Sequence, residues 1–105
     1  MAKKHGLVTL WYKNKQKEFE GNYKDGLQDG VSSSWFDSGY PDSKINYKKG
    51  KKHGLSTLWH KNGNYKNKSN YKYDRRDGKE TIWREDGTLQ LEREHGPGYS
   101  KTVYY

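Results

Sequence analysis

Apolar and aromatic positions recur along this chain at a fixed step of 24 residues. Trp11, Trp35, Trp59 and Trp83 keep that step, as do Gly6, Gly30, Gly54 and Gly78, and Tyr23, Tyr47 and Tyr71. A fixed period of this length marks a repeat array, in which one supersecondary unit is written several times. The units run over 6–29, 30–53, 54–77 and 78–101 of a single domain spanning 1–105.

Within each unit the pattern alternates with period two. Leu7, Thr9 and Trp11 share one side of a strand, as do Val31, Ser33, Trp35; Leu55, Thr57, Trp59; and Lys79, Thr81, Trp83. Ser38-Gly39, Asn62-Gly63 and Asp86-Gly87 then read as turns, because these residues accept positive φ at low cost. The first unit has Lys15 at that glycine position. A more polar second strand follows and ends near Tyr23, Tyr47, Tyr71 or His95. Asp25-Gly26, Lys49-Gly50 and Tyr73-Asp74 supply the next turns.

Each unit therefore reads as a β-hairpin. The pattern predicts an all-β fold: one elongated antiparallel meander of about eight or nine strands, with no helix. The tail 99–105 reads as a C-terminal capping strand, since Val103 falls in the column of Leu7, Val31 and Leu55.

In the second strands Phe19, Gly21 and Tyr23 share a side, as do Ser43, Ile45 and Tyr47. The expected core is a structural ladder of Trp11, Trp35, Trp59 and Trp83 with Tyr23, Tyr47 and Tyr71. Tyr12, Phe36, His60 and Arg84 occupy the next column, facing away from the tryptophans, and are the expected contact face.

Composition sharpens this picture. Leu, Ile, Val and Phe number only 14 of 105 residues, which with a net charge of +8 would otherwise suit a disordered chain. Sixteen aromatics in register supply the missing apolar area, so a thin aromatic core is expected. Cysteine is absent, excluding disulfides and thiolate metal sites. Met1-Ala2-Lys3-Lys4 is followed by no apolar segment of signal-peptide type, and no run approaches a membrane span, so a cytoplasmic location is expected.

The run Tyr23-Lys24-Asp25-Gly26 through Gly30 to Trp35, repeated as Tyr47-Lys48-Lys49-Gly50 through Gly54 to Trp59, resembles the MORN repeat variant. The third copy keeps Tyr71, Gly78 and Trp83 but has Asp74 for the first glycine. The resemblance implies an elongated, twisted sheet of hairpins with no catalytic motif. It also implies a binding or scaffolding role: antitoxin- or immunity-like in bacterial proteins of this variant, acidic-lipid binding or dimerisation elsewhere.

Charge separates the repeats. Residues 49–72 carry seven lysines and no acid, whereas residues 25–48 and 73–105 are slightly acidic overall. Lys49, Lys51, Lys52 and His53, with Lys61, Lys66, Lys68 and Lys72, are the candidate partner-binding residues, joined by Tyr12, Phe36 and His60. Lys3-Lys4-His5, Lys51-Lys52-His53 and Arg75-Arg76 should line one edge of the meander every second strand. An acidic protein partner is the expectation. An anionic lipid surface and a homodimer through a sheet edge or face are the alternatives. Nucleic acid is disfavoured, because the acidic repeats interrupt a backbone track.

No nucleophile motif, phosphate loop or paired acid–base constellation stands in the sequence, so no enzyme and no cofactor are expected. His5 and His53 lie about four strands apart, too far to share a metal, and His60 and His95 have no partner at ligand spacing.

Overall fold

The computed structural model describes residues 5–105. Nine strands follow one another: β1 (Gly6–Trp11), β2 (Lys17–Lys24), β3 (Leu27–Trp35), β4 (Pro41–Lys48), β5 (Lys51–Trp59), β6 (Tyr65–Lys72), β7 (Arg75–Trp83), β8 (Leu89–Gly96) and β9 (Tyr99–Tyr104). They lie side by side in chain order in one antiparallel sheet. No helix occurs among the described residues. The sheet measures 46 × 34 × 14 Å, the thickness of a single layer. The expected meander and its ninth, C-terminal strand are both present.

Two kinds of turn set the register. At one end of the sheet, Asp25-Gly26 (φ 51° and 82°) and Lys49-Gly50 (φ 51° and 81°) form two-residue turns with both residues left-handed. Such turns match the twist of the strands they join. Tyr73-Asp74 does the same at φ 48° and 70°, without a glycine. Asp74 compensates through its side chain. Its N–H donates to the Lys52 carbonyl at 2.9 Å, as Gly50 does to Gln28 at 2.8 Å, and its carboxylate accepts the Lys52 N–H at 2.8 Å.

At the other end, three-residue turns close on a left-handed residue, Lys15 in the first unit (φ 72°) and glycine in the rest. Asn14, Asn62 and Asp86 brace them by accepting the N–H two residues on, at 3.0, 3.0 and 2.9 Å.

Bulges explain the glycine column. Gly21 pairs with Ser32 but Tyr23 with Gln28, so β3 carries extra residues around Gly30, whose φ is 93°. The same slip recurs at Gly54 and Gly78. Only glycine takes that conformation without strain.

The aromatic ladder differs from the expectation. Trp11 pairs with Lys17, Trp35 with Pro41, Trp59 with Tyr65 and Trp83 with Leu89. The tryptophans therefore interleave with residues 17, 41, 65 and 89 on one side, here termed the Trp face. Tyr23, Tyr47 and Tyr71 lie on the opposite, Tyr face, in line with Gly21, Ile45 and Ser69. The single Trp–Tyr ladder is thus two separate rows.

Neither row is enclosed. Trp11 is 58% exposed, and the other three tryptophans are half-buried. The best-covered side chains are small or polar: Ser32, Ser56, Ser69 and Glu80 on the Tyr face, Thr57 on the Trp face, and one aliphatic, Leu91. In a one-layer sheet the long side chains lean over the short ones, so the short ones lose solvent first.

Candidate binding surface

The two-residue turns gather basic residues at one rim. Lys48 pairs directly with Lys51, and Lys72 with Arg75. Like charges directly opposite across an antiparallel pair repel. Lys49 sits in the intervening turn and is exposed, as are Lys51 and Lys72. Lys52 is half-buried, its ammonium 5.0 Å from the Tyr71 ring centroid.

Tyr73 belongs to this rim, and sequence reasoning missed it. Its ring lies 4.6 Å from that of His53 and 6.0 Å from the Lys48 ammonium. The available signal was a bulky Tyr at the first position of a two-residue turn, a place that usually takes Asn, Asp or Gly. The Nδ1 atom of His53 is buried and accepts no protein hydrogen bond. Lys3 and Lys4, expected at the same rim, lie outside the described residues.

The basic surface continues down the Trp face. Lys44 and Lys48 share that side of β4, and Lys68 and Lys72 share it on β6, each pair separated only by an asparagine on the same side. The equivalent positions in β2 and β8 include Glu20 and Glu92. Glu20 is held below the ordinary carboxylate range by a hydrogen bond from Lys17 at 2.9 Å. The central two hairpins are thus the uncompensated ones.

Other candidates lie elsewhere. Lys61 is at the three-residue-turn end, and Lys66 lines a shallow Tyr-face hollow of about 400 Å³ with Phe36, Leu58 and His60. Lys68 stands 4.0 Å over the Tyr65 ring on the Trp face. The seven lysines therefore form no single patch. Tyr12 and His60 act as braces between repeats: the Tyr12 hydroxyl donates to the Trp35 carbonyl at 2.6 Å, and His60 Nε2 lies 3.0 Å from that of Trp83. Phe36, in the same column, is half-buried and has no polar atom to brace with.

A second constellation was invisible in the sequence. Glu80, 2% exposed, stands where the two preceding repeats have Ser32 and Ser56, and five side chains meet its carboxylate, Arg76 as an ion pair. His95 Nε2 lies at 2.9 Å, Asn67 at 3.2 Å, and Ser69, Arg76 and Arg93 at 3.4 Å. The expectation that His95 lacks an acidic partner is therefore corrected: β7 and β8 bring the two together. Burial pushes the Glu80 carboxyl up, but the bonds from His95 and Asn67 and the charges of Arg76 and Arg93 outweigh it and hold the group below its ordinary value. With its oxygens saturated and Ser69 buried beside it, the cluster reads as a structural staple for the fourth repeat.

A concavity of about 510 Å³ lies against β8 and β9. Its Lys79 and Glu92 pair at 2.8 Å, and the Tyr105 hydroxyl donates to Glu92 at 2.6 Å. No group of three or more His, Cys, Asp or Glu suited to a metal occurs among the described residues.

The family model described as MORN repeat variant matches residues 4–25 and 52–73, the two basic copies. The chain carries MORN-variant repeats. The two matches start 48 residues apart, two periods of the repeat, and the sheet continues unbroken between and beyond them. A search of curated proteins and of solved structures finds no match to the chain. MORN repeats are in general membrane- or protein-binding modules rather than enzymes. Among the described residues no helix is long and apolar enough to cross a membrane.

Proposed function

We propose that this MORN-variant chain is a non-catalytic protein-binding module that docks an acidic partner against the basic rim and the adjoining central Trp face. The observation that carries the reading is the pair of like-charge contacts, Lys48 with Lys51 and Lys72 with Arg75, at neighbouring hairpins. Mutual repulsion there is relieved when an anionic surface lies over both.

The exposed area supports it. The chain leaves 7370 Å² accessible, against about 6,100 Å² for an ordinary globular monomer of its mass. The excess, about 1,300 Å², is larger than one partner's share of a standard interface, about 800 Å². An antitoxin- or immunity-like role is this same reading with a toxin as the acidic partner.

The test is affinity capture with the native chain and with Lys49→Glu, Lys51→Glu, Lys72→Glu. Lys52 is left intact because it also packs on Tyr71. One stoichiometric protein retained by the native chain and lost with the variant supports the reading. Capture should weaken with salt, since exposed charges are screened beyond about 8–10 Å at physiological ionic strength. Pelleting with anionic but not neutral vesicles, with no protein captured, assigns the rim to lipid instead. Equal capture by both chains refutes a role for the rim.

A further inference from the structure

The Trp row contains one gap that the repeats on either side fill. Between Trp59 and Trp83 stands Tyr65, its ring 5.8 and 5.5 Å from theirs. Between Trp11 and Trp35 stands Lys17, its ammonium 5.9 Å from each ring centroid. Between Trp35 and Trp59 the same position is Pro41, the cross-strand partner of Trp35, which carries neither an aromatic ring nor an ammonium. The result is a notch of about 200 Å³ lined by Trp35, Pro41, Trp59, Ser33 and Lys44.

The walls are set for a ring. Trp35 is engaged on one side by Lys17, and Trp59 on one side by Tyr65, so each turns its other side toward Pro41. Tyr65 shows what the gap accepts, because it occupies the equivalent place one repeat later. Stacked and tilted aromatic pairs are favoured at such separations. The notch also opens beside Lys44, which is exposed and continues through Lys48 to the basic rim.

We propose that this notch is an anchor pocket for an aromatic side chain of the acidic partner, its ring between Trp35 and Trp59 and a neighbouring carboxylate on Lys44. The inference rests on the acidic-partner reading and names the contact that would give it specificity. The charge of the central hairpins selects an acidic segment. The gap in the row selects the ring within it.

The probe is a synthetic peptide with one tyrosine among glutamates and aspartates, compared with the same peptide carrying alanine in its place. Binding is followed by tryptophan emission and by calorimetry. The tyrosine peptide should bind about tenfold or more tightly than the alanine peptide. Pro41→Tyr, which closes the notch as Tyr65 closes the next one, should abolish that preference while the far-ultraviolet circular dichroism stays unchanged. Pro41→Leu, copying Leu89, provides a second closed variant if the tyrosine does not fold. Lys44→Glu should weaken both peptides.

Equal binding of the two peptides, or a tyrosine preference that survives in the closed variants, overturns the pocket. If both peptides bind equally and the triple rim variant releases them, the basic-rim reading stands and the pocket alone falls. If neither peptide binds while rim-dependent capture persists, the pocket falls likewise. Absence of both peptide binding and rim-dependent capture overturns the two together.

Discussion

Glu80→Gln keeps the shape of the one buried carboxylate and removes its charge. In the native sheet that charge faces His95 at 2.9 Å and both Arg76 and Arg93 at 3.4 Å. Hydrogen bonds to charged groups contribute about 1.5–3 kcal/mol, and stripping one member from a buried ion cluster costs more when its partners are stranded. Here the partners are not stranded: the Arg76 and Arg93 side chains are 47% and 28% exposed and regain water. The expected loss is therefore at the low end, about 1.5–2 kcal/mol. For a domain of this size that lowers the melting temperature by about 6–16 °C.

Urea unfolding followed by tryptophan fluorescence at neutral pH measures the loss. Hydrogen exchange should locate it in β8 and β9, because in a repeat array each unit is held only by its neighbours. The pH dependence carries a definite sign. The folded carboxyl titrates below its ordinary value, so its stabilisation is complete above the ordinary carboxylate range. It fades as pH falls through that range toward the depressed value, and native and variant curves should converge there. An unchanged or raised midpoint for the variant at neutral pH would refute the staple and place Glu80 among buried charges retained for another reason.

Three further substitutions test the architecture. Asp74→Ala removes the acceptor of the Lys52 N–H while leaving a left-handed residue, and should cost about 1–2 kcal/mol in chemical denaturation. Asp74→Gly should cost less than Asp74→Ala, because glycine takes the left-handed conformation without strain; equal damage from both would show that strain is not the issue. Trp59→Ala should cost about 2–3 kcal/mol, below the 3–5 of an enclosed ring, since one flank faces the notch; a loss above 4 kcal/mol by thermal melting would contradict the open face. Gly21→Ala places a methyl 2.7 Å from Ser32 Oγ and 2.8 Å from Phe19 Cζ, so the Phe19 ring must move, at about 1–2 kcal/mol; an unaltered melting temperature would show that it moves freely.

The rim and the notch were legible to different degrees. Lys49, Lys51 and Lys72 could be chosen from the charge of one repeat, and turn chemistry placed them together. Lys61 and Lys66 carry the same sequence signal but sit at the far end of their hairpin. Period-two alternation set Tyr12 and His60 apart as a column of their own. That alternation could not show that both reach across a whole repeat to the carbonyls of Trp35 and Trp83.

By itself the sequence determined everything that is local and periodic. The 24-residue step, the strand and turn positions, the meander order and the ninth strand all follow from residues near each other in the chain. Tertiary structure decided what meets across strands. Period-two alternation assigns a side within one strand, but the neighbour on the next strand depends on turn length and on every bulge between. The cross-strand register sets Thr9 opposite Glu20, Ser33 opposite Lys44 and Thr57 opposite Lys68, which puts the tryptophans on the side away from the tyrosine column, and the slip at the base of each Trp strand brings Lys17, Pro41, Tyr65 and Leu89 beside them. The same cross-strand geometry enclosed Glu80 among Asn67, Ser69, Arg93 and His95, residues up to 15 positions away that no repeat column connects.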